Sequence, residues 1–168
     1  LYQPFKRSLT EQWLQRDRLS SRLSPYVTLR EMQRLENSGL SQDAEAIARN
    51  ELKNRPSLAL GLALGDLLLA QDDMTGAAEA VGFAPYLKSV PSNDWSLLRS
   101  AAELLTESGK PKEALSVYAN LLEISDVPRS LRMQWYRQGI KTANIAHDLA
   151  KAIAWENEIT QLISVDKK

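Results

Sequence analysis

No cysteine occurs in the 168 residues, which excludes disulfides, thiol nucleophiles and thiolate metal sites and leaves the redox compartment open. Histidine is nearly absent as well. His147 stands alone, so a histidine-rich zinc site is excluded, and a Ser–His–Asp arrangement would need a nucleophile on a sharp strand-to-helix turn that the chain does not supply. An excess of one charge is also missing. Lysine plus arginine equals aspartate plus glutamate at 21 each, without the basic footprint that marks nucleic-acid binding. No apolar run is long enough to cross a bilayer, since Leu58 to Ala70 spans only 13 residues against the roughly 20 a spanning helix needs.

Further chemistry is excluded by context. Gly61 and Gly65 would need an unwound turn after a strand to cradle phosphate, and they sit instead in a helical pattern, where they read as a close helix–helix contact. Asp72–Asp73 read as turn formers and helix caps rather than as an acid–base pair. The expectation is therefore a non-enzymatic chain with no catalytic residue, no metal and no cofactor.

Helical periodicity is what the chain does have. From Trp95 to Asp126, Leu98, Ala101, Ala102 and Leu105 recur at i, i+3, i+4 and i+7, which places them on one helix face. Gly109 ends that helix and Pro111 begins a second, because glycine tolerates the left-handed C-terminal conformation and proline's missing N–H is spare in a first turn. The second helix gathers Ala114, Val117, Tyr118, Leu121 and Leu122 on one side. Such a hairpin buries little alone and needs neighbours.

The spacing of Leu98, Ala101, Ala102, Leu105, Gly109, Ala114, Tyr118 and Leu121 resembles the tetratricopeptide repeat (TPR) family. The family's leading aromatic and closing proline are missing here. Gly39, Ala44, Ala48 and Pro56 reproduce the same spacing earlier in the chain, and the alanines Ala44, Ala77, Ala114 and Ala152 lie 33, 37 and 38 residues apart. The resemblance implies an all-α fold, an α–α superhelix: a right-handed solenoid of about four TPR-like hairpins over residues 25–56, 57–93, 94–127 and 128–166, preceded by a lead-in helix over 1–24.

Element by element, Ser41 is expected to cap the helix after Gly39, and Asp148 the last helix, in which Ala152, Ile153, Trp155, Ile159 and Ile163 recur at helical spacing and Trp155 shares a core face with Ile159. The segment Leu58–Ala70 is apolar almost all round and is expected to be buried on every side. The helix that returns through Ala77, Ala78, Val81 and Ala84 meets Gly82 and Pro85, which cost about 1 and about 3 kcal/mol in a helix interior. Lys88 to Asp94 reads as a loop.

The resemblance also places a concave groove along the first helix of each hairpin. It would be lined by Tyr26, Gln33 and Glu36, then Leu62, Asp66 and Leu69, then Arg99, Glu103 and Thr106, and last Arg137, Lys141 and Asn144. Arg137 and Lys141, one turn apart and near Arg99, suit a carboxylate or a peptide C-terminus. Trp13 is the tryptophan expected to be an exposed anchor. The partner is then another protein or peptide segment, with no nucleic acid. A homodimer formed on the exposed ends of the array is the alternative.

Charge is unevenly spread, with ten basic and seven acidic groups in 1–56, four and ten in 57–126, and seven and four in 127–168. The chain begins at Leu1 rather than methionine, and Lys6, Arg7, Arg16, Arg18 and Arg22 suit a segment just cytoplasmic of a membrane anchor. The expectation is the soluble part of a larger, membrane-anchored protein of a multi-component assembly, with the periplasm as the alternative to the cytoplasmic face.

Overall fold

The computed structural model describes residues 24–82 and 95–165, and no strand occurs among them. The chain divides into two compact units, Leu1–Val90 and Pro91–Lys168. The first unit contains α1 (Ser24–Asn37), α2 (Ser41–Asn54), α3 (Leu58–Ala70) and α4 (Met74–Val81). The second contains α5 (Trp95–Glu107), α6 (Pro111–Leu122), α7 (Arg129–Ile145) and α8 (Leu149–Ser164). The expected lead-in helix and the loop Lys88 to Asp94 lie outside the described residues.

The helices are joined in pairs by one turn, used four times. Its pivot lies in the left-handed region: Gly39 at φ 76°, Asp72 at 60°, Gly109 at 78° and His147 at 58°. Each pivot N–H donates three residues back, and the following N–H donates five back, as in Gly39 to Glu36 (2.9 Å) and Leu40 to Leu35 (2.8 Å). The same two bonds run from Asp72 and Asp73 to Leu69 and Leu68, from Gly109 and Lys110 to Thr106 and Leu105, and from His147 and Asp148 to Asn144 and Ala143. They satisfy carbonyls that a helix end leaves open. Five residues beyond each pivot stands an alanine, Ala44, Ala77, Ala114 or Ala152, and all four are buried.

The residue after the pivot doubles as the N-cap of the returning helix, and its chemistry complements the pivot. Where the pivot is glycine, the caps Leu40 and Lys110 make no side-chain hydrogen bond. Where the pivot carries a side chain, an aspartate caps: Asp73 accepts from the Gly76 N–H (2.9 Å) and Asp148 from the Lys151 N–H (3.1 Å). Ser41, expected as a cap, is instead the first helical residue of α2, because a turn this tight leaves only Leu40 for the capping position.

In the first unit, α3 packs against its partner α4 and against both α1 and α2. That explains its all-round apolar character: every residue from Leu58 to Leu68 is buried. Ser57 caps it, accepting from the Leu60 N–H at 3.4 Å. On the other side of the interface Leu29, Met32 and Leu35 of α1 are buried with Ala44 and Ala48 of α2. α4 ends at Val81, with the Gly82 N–H donating to Ala78 at 2.7 Å. Its expected continuation to Ala84 and Pro85 lies outside the described residues.

In the second unit, α6 packs against α5 and α7, and α7 against α8. Arg132 ties α7 to the end of α6 by donating to the carbonyls of Leu122 (2.8 Å), Ile124 and Ser125 (3.2 Å), which places a cation on the negative end of that helix. Leu115, Ala143 and Ala152 form a small core with Ile140, Ala146 and Trp155 at its edge. Trp155 lies so close over Gly139 that a Cβ there would come within 2.6 Å of the ring.

The apolar residues of α8 are not all covered. Ile153 is 57% exposed and Ile163 44%, whereas Ala152 is buried and Trp155, Ile159 and Leu162 are half-buried. α8 packs chiefly on α7 and touches α6 through Ala152 and Trp155 beside Leu115, so the face that carries Ala152 and Trp155 is the covered one.

Two outcomes follow. Gly139→Ala should lower stability by about 1 to 3 kcal/mol through overpacking against Trp155, despite the roughly 1 kcal/mol that alanine gains in helix propensity; a denaturant titration reads the sign. Asp72→Gly and His147→Gly should each raise stability by about 1 kcal/mol by relieving the left-handed pivot. Asp73→Ala and Asp148→Ala should each lose about 1 kcal/mol of capping, so thermal melting should order the four variants as two pairs of opposite sign.

Candidate functional site

The first helices of the two hairpins in the second unit, α5 and α7, meet along a row that turns from aromatic to polar. At one end Trp95 and Trp135 pack edge to face, with centroids 5.9 Å apart and planes at 77°. Next come Arg99 and Glu103, one turn apart on α5, whose Nε and Oε1 approach to 3.5 Å. Gln138 of α7 reaches the same carboxylate, its Nε2 donating to Glu103 Oε1 at 3.5 Å. Beyond it the Thr106 hydroxyl, which donates to the Ala102 carbonyl at 2.8 Å, lies 3.4 Å from the Thr142 hydroxyl.

The spacing of these residues explains the row. On α5, Trp95, Arg99, Glu103 and Thr106 fall at i, i+4, i+8 and i+11, and on α7, Trp135, Gln138 and Thr142 fall at i, i+3 and i+7, so each set makes one face. Hydrogen bonding along the row is incomplete. Among the described residues, the buried Nε1 of Trp95, Nε of Arg99, Nε1 of Trp135 and Oε1 of Gln138 have no hydrogen-bond partner. The Arg99–Glu103 approach is thus a charge contact only, too long to satisfy the guanidinium.

Burial shapes the electrostatics of the row. The Glu103 carboxyl titrates above its ordinary 4.5, because desolvation disfavours the anion more than Arg99 favours it. Tyr118 of α6 is pushed well above its ordinary 10.0, first by burial and next by the Glu103 charge, with Arg99 and a hydrogen bond to Thr142 opposing. The row thus holds a half-buried anion, a half-buried cation and unmet donors side by side. Among the described residues no group of acidic or histidine side chains is arranged to hold a metal.

The structure brings Arg99, Glu103 and Thr106 together as half-buried neighbours. Arg137, Lys141 and Asn144 are exposed on α7, one residue round the helix from Gln138 and Thr142. Neither Arg137 nor Lys141 has an ion-pair partner among the described residues. In the first unit Gln33 lines an open groove of about 730 Å³ along α1 with Val27, Arg30 and Arg34. Glu36 is half-buried. Leu62 and Asp66 are buried and Leu69 half-buried, so α3 presents no open groove surface at Leu62 or Asp66. Tyr26 belongs to α1, and its side chain lies outside the described residues, as does Trp13.

Gln138, Thr142 and the Trp95–Trp135 pair are the members that sequence reasoning missed. Trp135 held the signal: counting i+3 and i+7 from an inward tryptophan selects Gln138 and Thr142, whereas the chosen set began two residues later at Arg137. Comparison with protein-family models, with curated proteins and with solved structures finds no match to this chain.

The raised Glu103 pKa has a definite sign in stability. Between its ordinary value and its folded value the native state retains a proton that the unfolded chain has released, so unfolding free energy falls as pH rises through that window and the deficit persists at neutral pH. Glu103→Gln removes the titration. Urea titrations at about pH 4 and about pH 7 should show the variant gaining on the wild type at the higher pH; parallel behaviour would mean the carboxylate is as well solvated in the native state as in the unfolded chain.

Proposed function

We propose that the chain is a non-enzymatic, TPR-like scaffold, each unit a short stretch of right-handed superhelical stacking, and that a segment of another protein binds along the α5–α7 row. The observation that carries this is the cluster of three donors and one acceptor without partners, on Trp95, Arg99, Trp135 and Gln138. Each such group costs about 1 to 3 kcal/mol when left unmet, and the carbonyls and N–H groups of an extended peptide would meet them. These atoms are themselves shielded from solvent, so a peptide reaches them as the half-buried Arg99 and Gln138 side chains swing aside. Arg137 and Lys141, exposed beside the row, supply the charge that would draw in an acidic segment.

The four repeated turns support the scaffold part of this reading, since a recurring hairpin of fixed geometry is how helical repeats extend a binding face. A place within a larger membrane-anchored assembly rests on the basic residues Lys6, Arg7, Arg16, Arg18 and Arg22 and belongs to the same proposal.

A second reading, self-association, is favoured by a separate observation. Ile145 at the end of α7, Leu149 and Ile153 are 56%, 64% and 57% exposed, which leaves apolar side chains uncovered on both sides of the α7–α8 turn, of the kind that marks association surfaces.

Affinity capture with the full-length chain separates the two. If a partner segment binds the row, Arg137→Glu with Lys141→Glu should reduce its capture by roughly tenfold, while Leu149→Glu with Ile153→Glu leaves it intact. If the chain associates with itself, the α8 pair should abolish a concentration-dependent dimer in sedimentation. Undiminished capture by the charge-reversed chain would rule out the row as the binding face.

A further inference from the structure

Where the end of α6 meets α7 and α8, away from the Trp95–Glu103 row, Tyr136 of α7 and Trp155 of α8 converge with the carboxylates of Glu123 and Glu158 around an open cleft of about 410 Å³. The two rings meet edge to face, with centroids 6.5 Å apart and planes at 64°. Leu122 and Ala154 complete an apolar wall. Trp155 is held in place from behind, because its ring rests on Gly139. Its π-face already draws one cation: the Lys151 ammonium sits 5.7 Å from the ring centroid.

The charges in the cleft are unbalanced. Glu123 and Glu158 are exposed and have no ion-pair partner among the described residues. The nearest guanidinium, Arg132, is engaged with Tyr136 and with the carbonyls of Leu122, Ile124 and Ser125. Lys151 does not line the cleft. The half-buried Trp155 ring, two exposed carboxylates and an apolar wall are a set that selects a cation with a flat, greasy body.

We propose that this cleft binds an arginine side chain of a basic peptide segment, with the alkyl stem against Leu122 and Ala154, the guanidinium against the half-buried Trp155 ring, and its N–H groups donating to Glu123 and Glu158. The planar fork of arginine stacks on rings and bridges carboxylates at the same time, which a lysine ammonium does not. The site is independent of the α5–α7 row, which offers donors and cations and would take an acidic segment instead.

The test is a titration of the full-length chain with the capped tripeptide Gly-Arg-Gly, followed by the indole N–H resonance of Trp155. A second titration uses the same tripeptide with citrulline, which keeps the shape and removes the charge. The arginine peptide should give a saturable shift and the citrulline peptide should bind roughly tenfold more weakly. Glu123→Gln with Glu158→Gln, both at exposed positions, should weaken arginine binding by about tenfold or more while leaving the thermal midpoint in place. Equal binding of the two peptides, no saturable shift at Trp155, or a double variant that binds as the wild type does would each overturn the proposal. A lysine tripeptide that binds as tightly would overturn the assignment to arginine.

Discussion

Two helices can lie side by side after a link of a few residues only if the chain reverses through a left-handed residue and the first inward position beyond the turn is small. Every hairpin described here meets both conditions, with pivots at Gly39, Asp72, Gly109 and His147 and buried alanines five residues later. The turn fixes the register of the second helix on the first, and the alanine sets how closely they approach, so what packs beyond the turn follows from those two positions. Asp72 and His147 show how strongly the geometry is required. A left-handed conformation costs a residue with a Cβ about 1 kcal/mol or more, and at both places the next residue is an aspartate whose side chain caps the returning helix.

The sequence made the turns legible to different degrees for that reason. Gly39 and Gly109 announce themselves, because glycine is what a left-handed position selects. The Asp72–Asp73 pair marks a turn and a cap without showing which residue goes left-handed, and His147 is placed in its turn only by the helix patterns on either side. Helix faces were legible where apolar residues are flanked by polar ones, as on α5 and α6. On α8 they were not, since Ile153 and Ile163 lie to one side of the Ala152–Trp155 face and periodicity alone cannot say which of two adjoining apolar stripes a neighbour covers. Gly139 was invisible as a packing residue, because nothing in its own neighbourhood in the chain announces that Trp155 will rest on it.

The candidate row was legible in half. Arg99, Glu103 and Thr106 are the groove positions that the tetratricopeptide resemblance implies for this helix, and the structure brings them together as half-buried neighbours. The α7 half depended on which side of Trp135 faces α5, a question of packing rather than of pattern. One residue of rotation separates the exposed Arg137, Lys141 and Asn144 from the half-buried Gln138 and buried Thr142. Both sets border the same row, the first as its charged rim and the second as its floor.

The two units treat equivalent stretches of a first helix differently. α3 and α5 are each the first helix of a hairpin, and α3 surrounds itself with apolar neighbours, so that even Asp66 is buried. α5 places Arg99 and Glu103 at the corresponding stretch and holds them with contacts of 3.5 Å, at the long end of what a hydrogen bond tolerates. Contacts that weak hold the helices together very little. The row thus keeps half-buried polar groups at near-limiting distances and leaves atoms of Trp95, Trp135 and Gln138 unmet, whereas the first unit has Leu62 and Asp66 buried at the same positions.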